Sequence, residues 1–234
     1  MIIFVKLLLI ITLLYSNEPD FIYEELHYNA GFRFLPAGQA NLYFTKDTLN
    51  GNLVYKLNTS INTNSFIDRF YQVRDNIQSW LKISNFSLLK TIQNINQGNY
   101  HLNHQSIIKG DSLILTNTDV RKISTPVYDP ISFIYFLRTK TLNIGDTYNF
   151  FSYSPKKIRK VLINISSIEN IEVPAGNFNC FKIEPLSNDG KPLMKNNGQM
   201  RVWISNDSLK LPVQIEQITN IGTMVMKLKK IKHN

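Results

Sequence analysis

The sequence is poor in the residues and motifs on which many secreted proteins and enzymes depend. It has one cysteine, Cys180, so no disulfide can form within the chain, and stability must come from packing. We expect Cys180 to be a buried, inert thiol. The sequence also lacks a Gly-x-Ser-x-Gly nucleophile elbow and a glycine-rich phosphate loop.

Metal ligands are scarce as well. Of the four histidines, His101 and His104 lie close together in the chain. Residues three apart on a strand point to opposite faces, so this pair could bind one metal ion only if the strand bulged. The sequence therefore predicts no catalytic residues, no cofactor and no metal site. An enzyme would need a cluster of polar side chains with shifted pKa values in a cleft, and the spacing indicates none.

Long hydrophobic runs are absent except at the N-terminus. There an apolar run over residues 7–15 follows Lys6, which is the pattern of a secretory signal peptide, and it breaks at residues 16–20. A membrane span needs about 20 apolar residues, so we interpret residues 1–16 as a signal peptide and residues 17–234 as a single β-rich domain. The predicted location is the periplasm or the extracellular space. An uncleaved N-terminal anchor and a buried first strand are the alternatives.

Acidic residues are few, 17 against 26 Lys and Arg, which leaves a formal charge of +9. The lysine and asparagine content is typical of drift in an AT-rich genome, and we predict no nucleic-acid partner. The densest basic cluster is Lys227, Lys229, Lys230 and Lys232. These lysines alternate with apolar residues, as on an edge strand whose outer face resists aggregation. The alternative is contact with an anionic membrane surface.

Strand signals dominate the chain. Short runs of β-branched and aromatic residues are bounded by Gly, Pro and Asn, and turns recur every 10–12 residues or so, which is typical of an antiparallel meander. Predicted strands span residues 22–28, 39–45, 52–61, 91–96, 100–108, 112–116, 147–153, 159–168, 178–185, 199–205, 212–218 and 223–231. Residues 73–81 fit a helix or a strand, and we favour a strand.

The sequence predicts two short helices. Asn64 or Ser65 could cap a helix that carries Phe66, Ile67, Phe70 and Tyr71 on one side. The second signal is clearer, because Asp129 and Pro130 supply an N-cap and a first-turn proline. Helical spacing then relates Ile131, Ile134, Tyr135 and Arg138.

Several motifs occur in an order that resembles one bacterial family. They are YNAGFRFLPAGQANLYF (28–44), YQVRDNIQSW (71–80), DPISFIYFLR (129–138), Gly145-Asp146, VPAGNF (173–178), VWISND (202–207) and LPVQIE (211–216). Together they resemble the "domain of unknown function 3108" family over about residues 22–228. The resemblance implies an exported, β-rich protein without an assigned activity. By analogy, its architecture resembles the open barrels that carry lipids or lipoproteins across the periplasm.

These observations predict a mainly β fold, an antiparallel open or partly closed β-barrel of about 10–12 strands. We expect a half-barrel like those of lipoprotein carriers, with one or two short helices across its mouth. Such a barrel could bind a lipid or a lipoprotein acyl chain in an apolar cavity above about 300 Å³. The alternative function is an envelope structural or protein-interaction module with a filled core.

Four residues are candidates for a ligand site. Arg74 or Arg138 could hold an anionic headgroup at the cavity mouth by a charge-assisted hydrogen bond. Trp80 and Tyr135, with Trp203, could line the apolar body of the cavity. The competing interpretation is structural: the arginines form ion pairs, Asp129 and Arg138 complement the helix dipole, and the aromatic residues belong to the core.

Overall fold

Strands dominate the structure, a computed structural model that describes residues 18–110, 113–116, 119–123, 126–155, 157–192, 198–219 and 222–233. The predicted signal peptide, residues 1–16, lies outside these ranges. In chain order the strands are β1 (Glu24–Phe32), β2 (Leu35–Leu49), β3 (Asn52–Thr63), β4 (Arg74–Leu81), β5 (Leu88–Gln97), β6 (Tyr100–Lys109), β7 (Leu113–Thr116), β8 (Val120–Lys122), β9 (Val127–Tyr128), β10 (Thr147–Ser154), β11 (Lys157–Val173), β12 (Gly176–Ser187), β13 (Gln199–Ser205), β14 (Pro212–Thr219) and β15 (Gly222–His233).

Within the described ranges, all fifteen strands belong to one sheet. Its order is β8-β7-β6-β5-β4-β3-β2-β1-β15-β14-β13-β12-β11-β10-β9, and every pair is antiparallel except β9 with β10. The count exceeds the predicted 10–12 partly because β8 and β9 have only three and two residues. Strands that short show no alternation in sequence. The prediction that residues 73–81 form a strand is confirmed by β4.

The sheet curls until its two halves touch. Eleven strand spacings separate β6 from β10, which in a flat sheet would place them about 50 Å apart. Nevertheless the Tyr153 hydroxyl on β10 contacts Ser106 on β6, and Arg121 on β8 donates to the Pro155 carbonyl oxygen at 3.3 Å. The edge strands β8 and β9 are not paired with each other. The predicted open or partly closed barrel is therefore confirmed.

Period-two alternation decides which side chains enter the barrel. Leu26, Leu42, Leu57 and Leu81, from the four successive strands β1 to β4, are almost fully buried in one core cluster. Their sequence neighbours point to the outer face, as a pleated strand requires. The helix over residues 130–138 covers this apolar inner face.

The clearer of the two helix predictions is confirmed by helix α1 (Pro130–Arg138). The Asp129 side chain accepts hydrogen bonds from the backbone nitrogens of Ile131 and Ser132, both at 2.9 Å, and so caps the first turn. The Phe133 ring stacks on Phe150 with centroids 3.7 Å apart. Helix α1 thus packs against the inner face of β10 and its neighbours rather than standing clear of the sheet.

The other predicted helix is only one 3-10 turn, Ile67–Arg69. Its N-cap residue is Phe66, which provides no side-chain cap, rather than the predicted Asn64 or Ser65. Asn64 lies just before the turn, and its Oδ1 accepts from the nitrogens of Phe66 and Ile67. The aromatic residues of this turn, however, do not pack on the barrel; Phe66 and Phe70 are exposed. The turn is too short to bury an apolar side, since a helix gains most of its stability from such packing.

The expectation that the C-terminal lysines lie on an edge strand is wrong for Lys227, because β15 pairs there with both β1 and β14. Lys230 and Lys232 lie beyond the last residue paired with β14, on the part of β15 that pairs with β1 alone. Lys227, Lys229 and Lys230 are exposed, while Lys232 forms a 3.1 Å ion pair with Glu25. Pairing of the first strand with the last is a long-range event that the local pattern of β15 does not specify.

Candidate functional site

Two of the four candidate ligand residues, Tyr135 and Arg138, meet inside the barrel. The Arg138 guanidinium donates to both carboxylate oxygens of Glu24, at 2.6 and 2.8 Å, and both side chains are 0% exposed. It also donates to the Leu209 carbonyl oxygen at 3.1 and 3.3 Å. Such fork-to-fork pairing uses the geometry that an anionic headgroup would require. The anion bound by Arg138 is therefore a carboxylate of the chain itself.

Aromatic rings fill the space around this ion pair. The Arg138 guanidinium lies 4.2 Å from the ring centre of Phe21 and 4.9 Å from that of Tyr135. Tyr135 stacks on Phe44 with centroids 4.7 Å apart. Burial raises the pKa of both Tyr135 and Tyr28, and the Tyr28 hydroxyl donates to the Pro212 carbonyl oxygen at 2.7 Å. The candidate apolar cavity is occupied here by the protein's own side chains.

Arg74 lies elsewhere, at the start of β4. Its guanidinium donates to both carboxylate oxygens of Asp68, at 3.1 and 2.5 Å, and to the carbonyl oxygens of Thr63 and Val73. The hydrogen bonds from Arg74 hold the pKa of Asp68 below its usual range. This network ties the 3-10 turn to the ends of β3 and β4.

Trp80 lies on the outer face of β4, away from Tyr135. Its ring is sandwiched between the ammonium groups of Lys56 and Lys90, at 4.6 and 4.7 Å, and its indole N–H donates to Asp47 at 2.8 Å. Lys56 and Lys90 are its cross-strand partners on β3 and β5. The four candidates thus occupy three separate places.

An exposed apolar surface, which the sequence did not predict, lies at the end of the sheet where β1 ends and β2 begins. We call it the apolar rim; it comprises the side chains of Phe34, Leu35, Phe66, Phe70 and Tyr71, which are 95%, 52%, 54%, 76% and 51% exposed. Antiparallel connectivity brings the β1–β2 turn, the 3-10 turn and the β5–β6 turn to this same end. Large apolar side chains exposed together at one end of a sheet are typical of an interaction surface.

Hydrogen bonds join the turns that carry the apolar rim. The backbone nitrogen and side-chain amide of Asn64 donate to the carbonyl oxygens of Ala37 and Pro36, at 2.9 and 2.8 Å. The Tyr71 hydroxyl donates to the Gln97 carbonyl oxygen at 3.2 Å. Gly98 faces the Tyr71 ring so closely that a Cβ there would lie 2.7 Å from Cε2. The rim is therefore one platform rather than separate loops.

A signal for the apolar rim does exist in the sequence. Phe66, Phe70 and Tyr71 stand in a segment that begins at Asn64 and ends where the predicted strand over residues 73–81 starts, which is too short for a stable helix. The prediction that they form the apolar side of a helix required a neighbouring element that buries that side. Exposure depends on what the fold brings opposite, which local spacing does not specify.

A second surface feature is a polar groove on the outer face of β1 to β4. Its volume is about 350 Å³. Glu25 at its edge forms an ion pair with Lys232 at 3.1 Å, and its other carboxylate oxygen lies 3.2 Å from His27 Nε2. Its lining residues are Glu25, Asn41, Tyr43, Asn58, Thr59, Ser60 and Asn76. The groove is neither apolar nor inside the barrel, as a lipid carrier's cavity would be.

A cluster of hydroxyl groups and one imidazole holds the two halves of the curled sheet together. His104 Nε2 lies 2.7 Å from Ser106 Oγ and 3.0 Å from the Tyr153 hydroxyl. His101, three residues earlier, is exposed and bonds to Asn96 instead. Burial, with a smaller contribution from the charge of Arg121, lowers the pKa of His104. Ser106 and Tyr153 are buried, so the cluster acts as a seam between β6 and β10.

Across the described ranges, no group of three or more His, Cys, Asp or Glu side chains is placed to hold a metal ion. The same residues include no helix with the length and apolar character that a membrane crossing would need.

Comparison with known families decides where the chain belongs. A family model described as "Protein of unknown function (DUF3108)" matches residues 25–229. This chain is a member of the DUF3108 family. The match covers β1 to β15 almost completely, and with them the apolar rim, the polar groove and helix α1. It confirms the resemblance seen in the sequence motifs.

Solved structures show the fold of this DUF3108 protein in another family. A β-barrel-like protein of the DUF1849 domain from Brucella abortus superposes with a TM-score of 0.63 at 8% identity, over 91% of this chain and 98% of that one. At that identity the likeness concerns the fold alone. No curated protein matches the DUF3108 chain.

Two further structures align over 92% of this chain and 97% of theirs at 14% identity. One is a protein described as exported, with a YmcC-like fold, from Bacteroides fragilis, with a TM-score of 0.30. The other is described as a lipoprotein from Parabacteroides distasonis, with a TM-score of 0.33. Scores this low carry no argument about the DUF3108 protein.

Proposed function

We propose that this protein is an exported module of the cell envelope with a filled core, and that it works through its apolar rim. The observation that carries the proposal is the rim itself. Its five apolar side chains, Phe34 at 95% exposure among them, project from turns that hydrogen bonds join into one platform. Their exposure costs about 25 cal/mol per Å² of apolar surface until something covers it. A binding partner would recover that free energy.

The interior supports this function over transport of an apolar ligand. An acyl chain in the barrel would have to displace helix α1, whose Tyr135 stacks on Phe44 and whose Arg138 is bound to Glu24. Leaving either charge unpaired there would cost several kcal/mol, about 3–5. The groove of about 350 Å³ lies outside and is lined by amides and hydroxyls, which do not suit an acyl chain.

Export rests on residues 1–16, whose basic residue followed by an apolar run is the signal-peptide pattern. N-terminal sequencing of the protein recovered from the periplasm tests the predicted cleavage after residue 16 or thereabouts.

A co-sedimentation assay tests this function. The exported protein is purified and incubated with envelope vesicles, the vesicles are sedimented, and the protein in the pellet and the supernatant is measured. We expect the wild type to sediment with the vesicles and the double variant Phe34→Ser/Phe70→Ser to stay in the supernatant. The matched control is Leu53→Ser/Ile144→Ser, which removes two residues of 54% and 59% exposure outside the rim. Equal sedimentation of all three proteins would refute a role for the rim. A stoichiometric lipid in an organic extract of the purified protein would instead favour the carrier.

A further inference from the structure

We propose that the apolar rim docks on the surface of an anionic lipid bilayer. This inference rests on the proposed function and names the partner of the same site. The alternative occupant is a protein, and the experiment below separates the two.

The shape of the apolar rim favours a bilayer. Phe34, on the β1–β2 turn, is 95% exposed and Phe70, beside the 3-10 turn, is 76% exposed, so both rings project from turns instead of lining a groove. Phe66 and Phe70 meet edge to face with centroids 5.7 Å apart and project together. Projecting rings need a partner with a matching pocket if that partner is a protein. A bilayer accommodates the rings in any relative arrangement, provided that all of them project toward its surface.

The residue types also fit the membrane interface. Tyr71 and Phe70 are adjacent, and the Tyr71 hydroxyl keeps a hydrogen bond to the Gln97 carbonyl oxygen while half of the side chain is exposed. An aromatic body with a polar tip is favoured where hydrocarbon meets headgroups. The rim can therefore enter the interface without removing a hydrogen bond of its own.

The charges around the rim are complementary to anionic headgroups. Arg33 and Arg69 are exposed on the same turns as Phe34 and Phe70. The one carboxylate of the 3-10 turn, Asp68, is paired with Arg74 at 2.5 Å and so does not oppose them. Each basic group near an anionic surface adds an attraction that salt weakens. The whole chain, at +9 with the predicted signal peptide and at +8 after Lys6 is removed with it, adds a longer-range attraction of the same sign.

The rim's rigidity makes this docking efficient. Asn64 fixes the 3-10 turn to the β1–β2 hairpin, and Arg33 donates its backbone N–H to the Thr223 carbonyl oxygen at 2.7 Å, which fixes that hairpin to β15. Because the turns are already held together, binding orders few new groups, and little affinity is lost to entropy.

The test uses a dye at a single introduced cysteine. Cys180 is buried and burial raises its pKa to about 12, so a single introduced cysteine can be labelled selectively with an environment-sensitive fluorophore. The reporter is Ser65→Cys, at an exposed position beside Phe66 that is not itself part of the rim, and the control is Leu53→Cys. The proteins are mixed with phosphatidylcholine vesicles, with or without phosphatidylglycerol. We expect a blue shift for the dye at position 65 with phosphatidylglycerol present, quenching by bromine-labelled acyl chains, and no change at position 53.

Variants then separate the apolar and the charged contributions. Phe34→Ser and Phe70→Ser should each weaken the vesicle partition coefficient by about 10- to 100-fold, since each removes one large apolar ring from the buried surface and about 1.4 kcal/mol corresponds to a factor of ten. Arg33→Gln/Arg69→Gln should remove most of the dependence on phosphatidylglycerol and on salt. Unchanged thermal unfolding shows that these exposed positions leave the fold intact.

Three outcomes decide between the possibilities. A dye shift at position 65 alone, with loss of partition in the Ser variants, supports bilayer docking. No shift at position 65, or a shift at position 53 instead, overturns it. If Phe34→Ser/Phe70→Ser still releases the protein from envelope vesicles in that case, the rim binds a protein. If the rim variants sediment with envelope vesicles as much as the wild type does, the proposed function itself is refuted.

Discussion

Arg138 and Glu24 form a bidentate ion pair, fully buried, across 114 residues of chain. The pair joins the last turn of helix α1 to the first residue of β1. It therefore connects the helix that fills the barrel to the strand that joins the two halves of the sheet, since β1 pairs with both β2 and β15.

Breaking this ion pair should strongly destabilise the protein. Glu24→Leu or Arg138→Met leaves one buried charge without a partner, and each should lower the free energy of unfolding by about 3–5 kcal/mol. The double variant Glu24→Leu/Arg138→Met removes both charges and should lose much less. Urea unfolding of the four proteins gives the coupling energy; single losses that simply add in the double variant would contradict a direct pairing.

Asp129 should make the protein less stable as the pH rises from about 4. Burial raises the pKa of this carboxyl above its ordinary value of 3.8, so the folded state holds the proton over a range in which the unfolded state has lost it. Asp129→Asn keeps a capping oxygen and should abolish that fall. Asp129→Ala should cost about 1 kcal/mol through loss of the N-cap. The check is the difference in the free energy of unfolding between the wild type and Asp129→Asn against pH, because carboxyls with lowered pKa values, such as Glu169, contribute the opposite trend to both profiles. A difference that rises through this range would contradict the expectation.

Acidification should weaken the seam formed by His104, Ser106 and Tyr153. Since burial lowers the pKa of His104 below its ordinary 6.5, the unfolded state takes up a proton first, and stability falls as the pH drops below about 6.5. His104→Asn should flatten the melting temperature profile between pH 7 and the folded pKa. His101→Asn, on the exposed face of the same strand, is the control. Equal slopes in the wild type and His104→Asn would contradict the assignment.

Cys180 should resist thiol reagents in the folded protein. It is buried, and burial raises its pKa to about 12, so very little thiolate forms near neutral pH and reagents cannot approach it. We expect slow reaction with Ellman's reagent in buffer and fast reaction in denaturant. Fast modification of the folded protein, at the rate of a free thiol, would contradict the burial.

Local patterns predicted much of the secondary structure. Alternation bounded by turn residues indicated most strands, and Asp129 with Pro130 indicated where helix α1 begins, because both signals depend only on residues a few positions apart. Trp80 shows the limit. A residue on a strand has two possible faces, and the sequence did not indicate that Lys56 and Lys90 of β3 and β5 would enclose its ring on the outer one.

The sequence by itself determined the strands, helix α1, the lack of disulfides and, through the order of its motifs, the family. Only the tertiary structure decided that β15 pairs with β1, that Glu24 rather than a ligand binds Arg138, and that Phe34, Phe66 and Phe70 stay uncovered. The physical reason is range. Backbone conformation follows from neighbouring residues, whereas burial, ion pairing and exposure depend on which distant segments the curled sheet brings together.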